Sequence, residues 1–210
     1  MDEKIVQLES YWGGDLIYKC THQNSNILTV ILPGDGYTNA KPLMYYSQKI
    51  ALELGVDMLC IDYGFQILHK DFDVDTELDI LVRESAQVLK QYLNKKYKRI
   101  IFIGKSLGTI IQNKLSEEFI EYEQVHVYLT PVDKTFEDMI NYPCLVITGS
   151  EDTKINNLSK SVIEKSRNIE LVKIDGANHR LECEDALKSI EMLNTTMRLL
   201  RKFIIKHSKE

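Results

Sequence analysis

A serine flanked by two glycines follows a short apolar run near the middle of the chain. The run Ile100–Ile103 is β-branched and leads into Gly104-Lys105-Ser106-Leu107-Gly108, after which apolar residues recur at helical spacing. A sharp turn from strand to helix strains the serine backbone and exposes its hydroxyl, and the flanking glycines leave room for that turn. Ser106 is therefore a candidate nucleophile, although a serine between glycines can also be a helix N-cap.

A serine hydroxyl reacts well only when a base takes its proton and a third group orients that base. Both residue types occur downstream. Asp152 follows the predicted strand Leu145–Thr148, and His179 follows the predicted strand Glu170–Ile174. Parallel strands carry their sites at their carboxyl ends, so we expect Ser106, Asp152 and His179 to meet at one edge of a sheet.

Other residues offer alternatives for these roles. Glu151 is adjacent to Asp152, and Asp133 follows the predicted sixth strand. His69 lies in the loop after the predicted fourth strand and is the rival base. Lys105 could help to bind an acidic group of a substrate, but we expect an exposed lysine at the start of a helix.

The elements that must position these residues follow from hydrophobic periodicity. Apolar, β-branched runs alternate with longer segments of helical spacing, which predicts a mostly parallel sheet. The first two runs are too close together for a crossover helix, so we expect an antiparallel hairpin through residues 12–15. The eight predicted strands are Ile5–Glu9, Leu16–Cys20, Ile27–Leu32, Met58–Tyr63, Ile100–Ile103, Val125–Leu129, Leu145–Thr148 and Glu170–Ile174.

Three segments carry an apolar stripe that predicts helices covering the two faces of the sheet. The first stripe spans Ala40–Leu54, with Pro42 suited to the first turn and Gly55 to the stop. The second spans Leu78–Leu93 and the third spans Ala186–Ile204. These stripes are expected to face the core.

Composition narrows the class of protein. The chain has 210 residues, 44% hydrophobic and 27% charged, without repeats or linker-like stretches, so we predict a single α/β domain over residues 1–210. The net charge of −5 provides no basic excess for nucleic acid. The apolar runs fall short of the roughly 18 residues that span a bilayer, and the first residues do not resemble a secretory signal. We therefore expect a cytoplasmic protein.

The four cysteines are scattered and form no CxxC pair. This spacing predicts reduced thiols and signals neither a zinc site nor a redox pair. We predict no metal and no organic cofactor.

These features together resemble the α/β-hydrolase superfamily, whose triad follows the chain order Ser, Asp or Glu, His. Ser106, Asp152 and His179 have that order, whereas His69 precedes the serine. The resemblance extends to the opening hairpin, to Asp62-Tyr63-Gly64, and to Leu32-Pro33-Gly34-Asp35-Gly36, where the family often has its oxyanion loop. The likeness therefore covers nearly the whole chain.

By this resemblance Ser106 is the nucleophile, His179 is the general base and then acid, and Asp152 holds the imidazole in its tautomer. The backbone N–H of Leu107, together with one from Asp35 or Gly36, would stabilise the oxyanion. The roles of these residues are implied by the family likeness.

The resemblance implies a serine hydrolase without a lid, because only Thr130–Tyr142 separates the sixth and seventh predicted strands. An open site favours an esterase or thioesterase that acts on a small-molecule substrate with a small or accessible acyl group. A peptidase or amidase with the same triad is an alternative, and so is a non-catalytic receptor or scaffold with the hydrolase fold. The sequence is compatible with a monomer or a homodimer.

Overall fold

The chain folds around one eight-stranded sheet in a computed structural model that describes residues 2–93, 96–136, 142–155 and 168–208. The strands are β1 (Asp2–Glu9), β2 (Asp15–His22), β3 (Ile27–Leu32), β4 (Asp57–Cys60), β5 (Arg99–Lys105), β6 (Glu123–Leu129), β7 (Cys144–Gly149) and β8 (Ile169–Ile174). Their order is β1-β2-β4-β3-β5-β6-β7-β8. β1 pairs with β2, and β2 with β4, in antiparallel fashion, and all other pairs are parallel. The predicted mostly parallel sheet with an N-terminal antiparallel hairpin is confirmed.

The fourth strand is shorter than the predicted run Met58–Tyr63, because it ends at Cys60. The Ile61 N–H still donates to the Ile31 carbonyl at 3.0 Å. The Ile61 carbonyl, however, accepts from the Asn39 side-chain amide at 3.1 Å. The Asn39 side chain thus makes the hydrogen bond that a neighbouring strand would otherwise make, and the strand pairing of β4 ends at this point.

Helices cover both faces of the sheet, as predicted. Helices α1 and α5 pack on one face, and α3 and α4 pack on the other. Among the described residues, no helix is long and apolar enough to cross a membrane. The helices of the described ranges are α1 (Pro42–Glu53), α2 (Gly64–Ile67), α3 (Val74–Tyr92), α4 (Leu107–Glu118) and α5 (Ala186–Ser208), and a 3₁₀ turn spans Asp133–Thr135.

The burial of the central strand β5 explains why its sequence contains the unbroken apolar run Ile100–Ile103. Ile100 and Phe102 pack in the layer under α3 and α4, whereas Ile101 and Ile103 pack in the layer under α1 and α5. All four side chains are fully buried. A parallel strand covered on both faces needs apolar residues at every position.

Helix α1 begins and ends where the sequence indicates. Pro42 is its first residue, where a missing N–H costs no helical hydrogen bond. Gly55 follows the helix with φ of +72°, and its N–H donates to the Leu52 carbonyl at 3.1 Å. The Val56 N–H donates to the Ala51 carbonyl at 3.1 Å, which completes a Schellman motif.

A buried carboxylate ties the amino ends of the parallel strands together. The side chain of Asp57, at the start of β4, has no exposed surface. It accepts from the backbone N–H of Gln23 at 2.7 Å and of Ser25 at 3.0 Å, and from the Tyr97 hydroxyl at 2.7 Å. Burial by itself would raise the pKa of Asp57, but these hydrogen bonds outweigh it and lower the pKa to about 2.

We expect Asp57→Asn to lower the free energy of unfolding by about 2 kcal/mol at neutral pH, since the folded protein holds the charged form more tightly than the unfolded chain. Because the folded pKa is the lower one, this stabilisation is complete above about pH 4 and is lost as the pH falls towards about 2. Urea unfolding at neutral and acidic pH measures both effects. Asn at the exposed Asp71 is the control, and equal stability of the two variants would contradict the prediction.

Candidate active site

Ser106 lies in a strained turn between β5 and α4. Its backbone has φ of +50° and ψ of −115°, which a non-glycine residue rarely adopts. A Cβ at Gly108 would collide with the Leu32 carbonyl oxygen of β3, and a Cβ at Gly104 would lie 2.6 Å from the Gly108 carbonyl oxygen. The two glycines therefore let α4 start directly against the strands, as the sequence predicts.

The Ser106 hydroxyl faces a histidine and does not cap α4. It makes no capping hydrogen bond to the helix, and its Oγ lies 2.9 Å from Nε2 of His179. Nδ1 of His179 lies 3.0 Å and 2.9 Å from the two carboxylate oxygens of Asp152. The structure thus brings the three predicted residues into one hydrogen-bonded row.

The loops after β7 and β8 hold the acid and the base together. The Ser150 N–H donates to the Ile174 carbonyl at 2.9 Å, and the Glu151 N–H donates to the Ala177 carbonyl at 3.0 Å. These bonds continue the pairing of the two strands past their carboxyl ends. Asp152 and His179 are consequently presented from neighbouring loops of fixed separation.

Asp152 is set up as an acceptor for the His179 ring. Burial alone would raise its pKa, but hydrogen bonds from His179 and from the Lys154 N–H outweigh burial and hold the pKa below its usual range. The ionised carboxylate can only accept hydrogen bonds. Nδ1 of His179 therefore carries the proton, and Nε2 is left to accept from the Ser106 hydroxyl.

The alternative residues occupy other positions. The exposed Glu151 side chain lies 3.4 Å from the Ser150 hydroxyl, and Asp133 belongs to the 3₁₀ turn after β6. His69 lies in the connection between α2 and α3 with φ of +52°. Across the described ranges, the carboxylate on the His179 ring is that of Asp152.

Ser106 and His179 line an open cleft of about 620 Å³ at the carboxyl edge of the sheet. Its lining includes the apolar residues Phe72, Val74, Leu107, Ile110 and Val132. The exposed cations Lys134, Lys154 and Arg180 lie on the rim. In the described parts of the chain, no three His, Cys, Asp or Glu side chains converge as metal ligands would.

A tight turn after β3 lies against the serine. Gly34 and Tyr37 bond to each other, N–H to carbonyl, at 3.0 Å and 3.3 Å, so the N–H groups of Asp35 and Gly36 stand outside these two bonds. A Cβ at Gly34 would lie 3.3 Å from Cβ of Ser106. The N–H of Leu107 begins α4, where the first turn has no helical acceptor. All three predicted oxyanion residues therefore line the cleft.

Two residues to which the sequence analysis assigned no role hold this turn in place. The Tyr63 hydroxyl donates to the Pro33 carbonyl at 2.9 Å. The Gln66 side-chain amide donates to the Gly34 carbonyl at 2.7 Å and also to the Asp35 carbonyl. Tyr63 directly precedes α2 and Gln66 lies within it, and a single glutamine in a short apolar segment carries no sequence signal for this role.

Lys105 differs from the sequence expectation. It was predicted to be exposed at a helix start, but only 1% of its surface is accessible. It is the last residue of β5 and follows the alternation of Ile101 and Ile103, so its side chain enters the layer under α1 and α5. Nζ donates to Thr130 Oγ1 and to the His179 carbonyl, both at 3.1 Å. These bonds hold an ammonium group that was expected to lie in solvent.

No protein-family model matches the sequence, and no curated protein matches it. Solved structures do match. A serine hydrolase without a lid from Xanthomonas campestris superposes with a TM-score of 0.69 at 14% identity, covering 96% of this chain and 95% of that one. A serine hydrolase homologue from Coxiella burnetii has a TM-score of 0.69 at 18% identity, covering 95% and 98%. An esterase from Pyrococcus furiosus has a TM-score of 0.66 at 16% identity, covering 96% and 91%.

The chain therefore has the α/β-hydrolase fold, of the type found in hydrolases without a lid. The predicted fold class is confirmed at this level. In the short connection between β6 and β7, where larger members carry a lid, the described part holds the 3₁₀ turn. Residues 137–141 of that connection lie outside the described residues.

We expect Gln66→Leu to slow the reaction of Ser106 with a fluorophosphonate about tenfold, because the turn would no longer be held against the serine. The melting temperature should change little, since Leu has a similar volume and Gln66 is only partly buried. Labelling rates and thermal unfolding measure the two effects. Leu at the exposed Gln7 of β1 is the control. Labelling at the wild-type rate would show that the amide does not hold the turn.

Proposed function

We propose that this chain is a serine hydrolase that cleaves a small or accessible carboxylic ester or thioester through an acyl-serine intermediate. One observation carries the proposal: Ser106 Oγ lies 2.9 Å from Nε2 of His179, whose Nδ1 lies 2.9 Å from an Asp152 oxygen. This is the arrangement in which a histidine takes a serine proton and a carboxylate stabilises the resulting imidazolium. Structural neighbours that are hydrolases and esterases support the class of reaction.

In the first half-reaction His179 Nε2 takes the Ser106 proton while Oγ attacks the acyl carbon. The carbonyl oxygen becomes an oxyanion, and the Leu107 N–H with one from Asp35 or Gly36 would donate to it. Donors of this kind contribute about 3 to 4 kcal/mol each where they have been removed by mutation. The alcohol or thiol leaves with the proton from His179, and the acyl group stays on Ser106.

Water completes the cycle from the open side of the cleft. His179 takes a proton from the water as its oxygen attacks the acyl carbon, and the same N–H donors hold the second oxyanion. Ser106 leaves with the proton from His179, and the free acid departs. Asp152 stays ionised throughout and keeps the imidazole in the tautomer that both steps need.

The apolar lining residues of the cleft support an apolar acyl group beside Ser106. Leu107 and Ile110 extend along the first turn of α4, and Phe72 and Val132 face the same cleft. A cleft that is open to solvent fits small or accessible acyl groups. It does not favour a long chain that must be shielded from water along its whole length.

We expect Ser106→Ala to abolish turnover of a nitrophenyl ester and all labelling by a fluorophosphonate, with an unchanged melting temperature. His179→Ala should slow labelling by a factor of about 10³ or more, because the hydroxyl loses its base. Ala at His69 is the matched control and should label like wild type. Peptide mapping of the labelled protein identifies the modified residue.

Either of two results would contradict the assignment. Ester turnover of more than a few per cent in the Ser106 variant would place the reaction elsewhere. No labelling of well-folded wild-type protein would mean that the serine is not activated, which is the behaviour of a receptor or scaffold.

A second prediction concerns the acyl group. Val132→Trp should lower kcat/KM for a hexanoate ester about tenfold more than for an acetate ester, since the larger side chain fills the apolar part of the cleft. A chain-length series of nitrophenyl esters measures the difference. Trp at Ile120, which is 70% exposed just beyond α4, is the control. An equal effect on all chain lengths would show that acyl groups bind away from Val132.

A further inference from the structure

Lys105 buries an ammonium group directly beside the proposed nucleophile. Its Nζ lies 3.1 Å from Thr130 Oγ1, 3.1 Å from the His179 carbonyl oxygen and 4.6 Å from the centroid of the Tyr37 ring. Within the described ranges, no carboxylate lies within ion-pair distance of Nζ. The three contacts join the end of β5 to three different loops at the carboxyl edge of the sheet.

Packing alone does not account for a charge at this position. An ammonium group removed from water carries a large desolvation cost, which two neutral acceptors and a ring face offset only in part. An apolar side chain of similar length would fill the same space, and such replacements of buried charges are often neutral or stabilising. We therefore expect the layer under α1 and α5 to be as stable with an apolar side chain at position 105.

The loops that Lys105 contacts contain strained backbone. Thr130 has φ of +43°, although it is β-branched, and Leu181, two residues after His179, has φ of +57°. Residues in this region of backbone space persist only where their surroundings restrain them. The ammonium group supplies such a restraint to the loop after β6 and to the loop that carries His179.

We propose that Lys105 is a positioning residue. It holds the His179 main chain and, through Tyr37, the Gly34–Tyr37 turn in position beside Ser106. The proposal rests on the proposed function of this site. Lys105 does not touch the reacting atoms. It acts through the base-bearing loop on one side and the Gly34–Tyr37 turn on the other.

The charge on Lys105 is expected to titrate within the working range of an esterase. Burial lowers the pKa of Lys105 to about 8, and repulsion by Arg180 acts in the same direction. Attraction to Asp152 and Glu182 opposes this shift but is outweighed. The Tyr37 hydroxyl stays neutral in this range because burial raises its pKa. A neutral amine keeps N–H donors, but it loses the attraction to the Tyr37 ring, and charge-assisted hydrogen bonds are roughly twice as strong as neutral ones.

The test measures how fast Ser106 Oγ displaces fluoride from a fluorophosphonate, between about pH 6 and about pH 10. Wild-type protein should show a rate that falls above pH 8, as the ammonium group loses its proton. Lys105→Met should react about tenfold more slowly at neutral pH, show no fall above pH 8, and melt at the same or a higher temperature. Lys105→Arg stays charged throughout and should also lack the alkaline fall. Lys114→Met, at an exposed position on α4, is the matched control.

Four outcomes are decisive. A Lys105→Met rate within about twofold of wild type across the pH range would overturn the proposal, and so would a wild-type rate that stays flat through pH 8. If the Met variant does not fold, the wild-type and Arg profiles decide, and an alkaline fall in both would exclude Lys105 as its source. If wild-type protein is not labelled at Ser106 at any pH, the result would instead contradict the proposed function itself.

Discussion

The geometry of this site depends on how closely helix α4 approaches strand β3. Gly108 lies so near the Leu32 carbonyl that a Cβ would not fit between them, and Gly104 meets the same helix from the strand side. Because the helix starts at this distance, Ser106 is held at φ of +50° with its hydroxyl directed away from the helix and towards His179. Any larger residue at either glycine would push α4 outwards and release the strain on the serine.

The sheet converts this local turn into a site by bringing distant residues to the same edge. β5, β6, β7 and β8 are parallel neighbours, so the residues that follow them arrive side by side. Hydrogen bonds between the loops after β7 and β8 set the separation of Asp152 and His179, and a buried carboxylate makes the ring tautomer unambiguous.

Hydrogen bonds from side chains to backbone carbonyls hold the loops at the carboxyl edge of the sheet. Tyr63 and Gln66 hold the turn after β3, and Lys105 joins the His179 loop to the end of β5. At the opposite edge the Asp57 carboxylate accepts hydrogen bonds from the backbone N–H groups of Gln23 and Ser25. The side-chain hydrogen bonds at the two edges have different roles. We infer that those at the amino edge stabilise the fold, and that those at the carboxyl edge hold the geometry required for reaction.

The sequence by itself determined the alternation of strands and helices, the antiparallel hairpin and the serine turn, because these depend on local periodicity and on glycines at fixed spacing. It also placed Asp152 and His179 after strands whose ends must meet. Only the tertiary structure decided that Asp152 rather than Asp133 faces the histidine, that β4 stops at Cys60, and that Lys105 is buried. Each of these depends on a side chain meeting a group far away in the chain, such as Asn39 on the Ile61 carbonyl or Lys105 on the His179 carbonyl. Such long-range contacts leave no periodic pattern in the sequence.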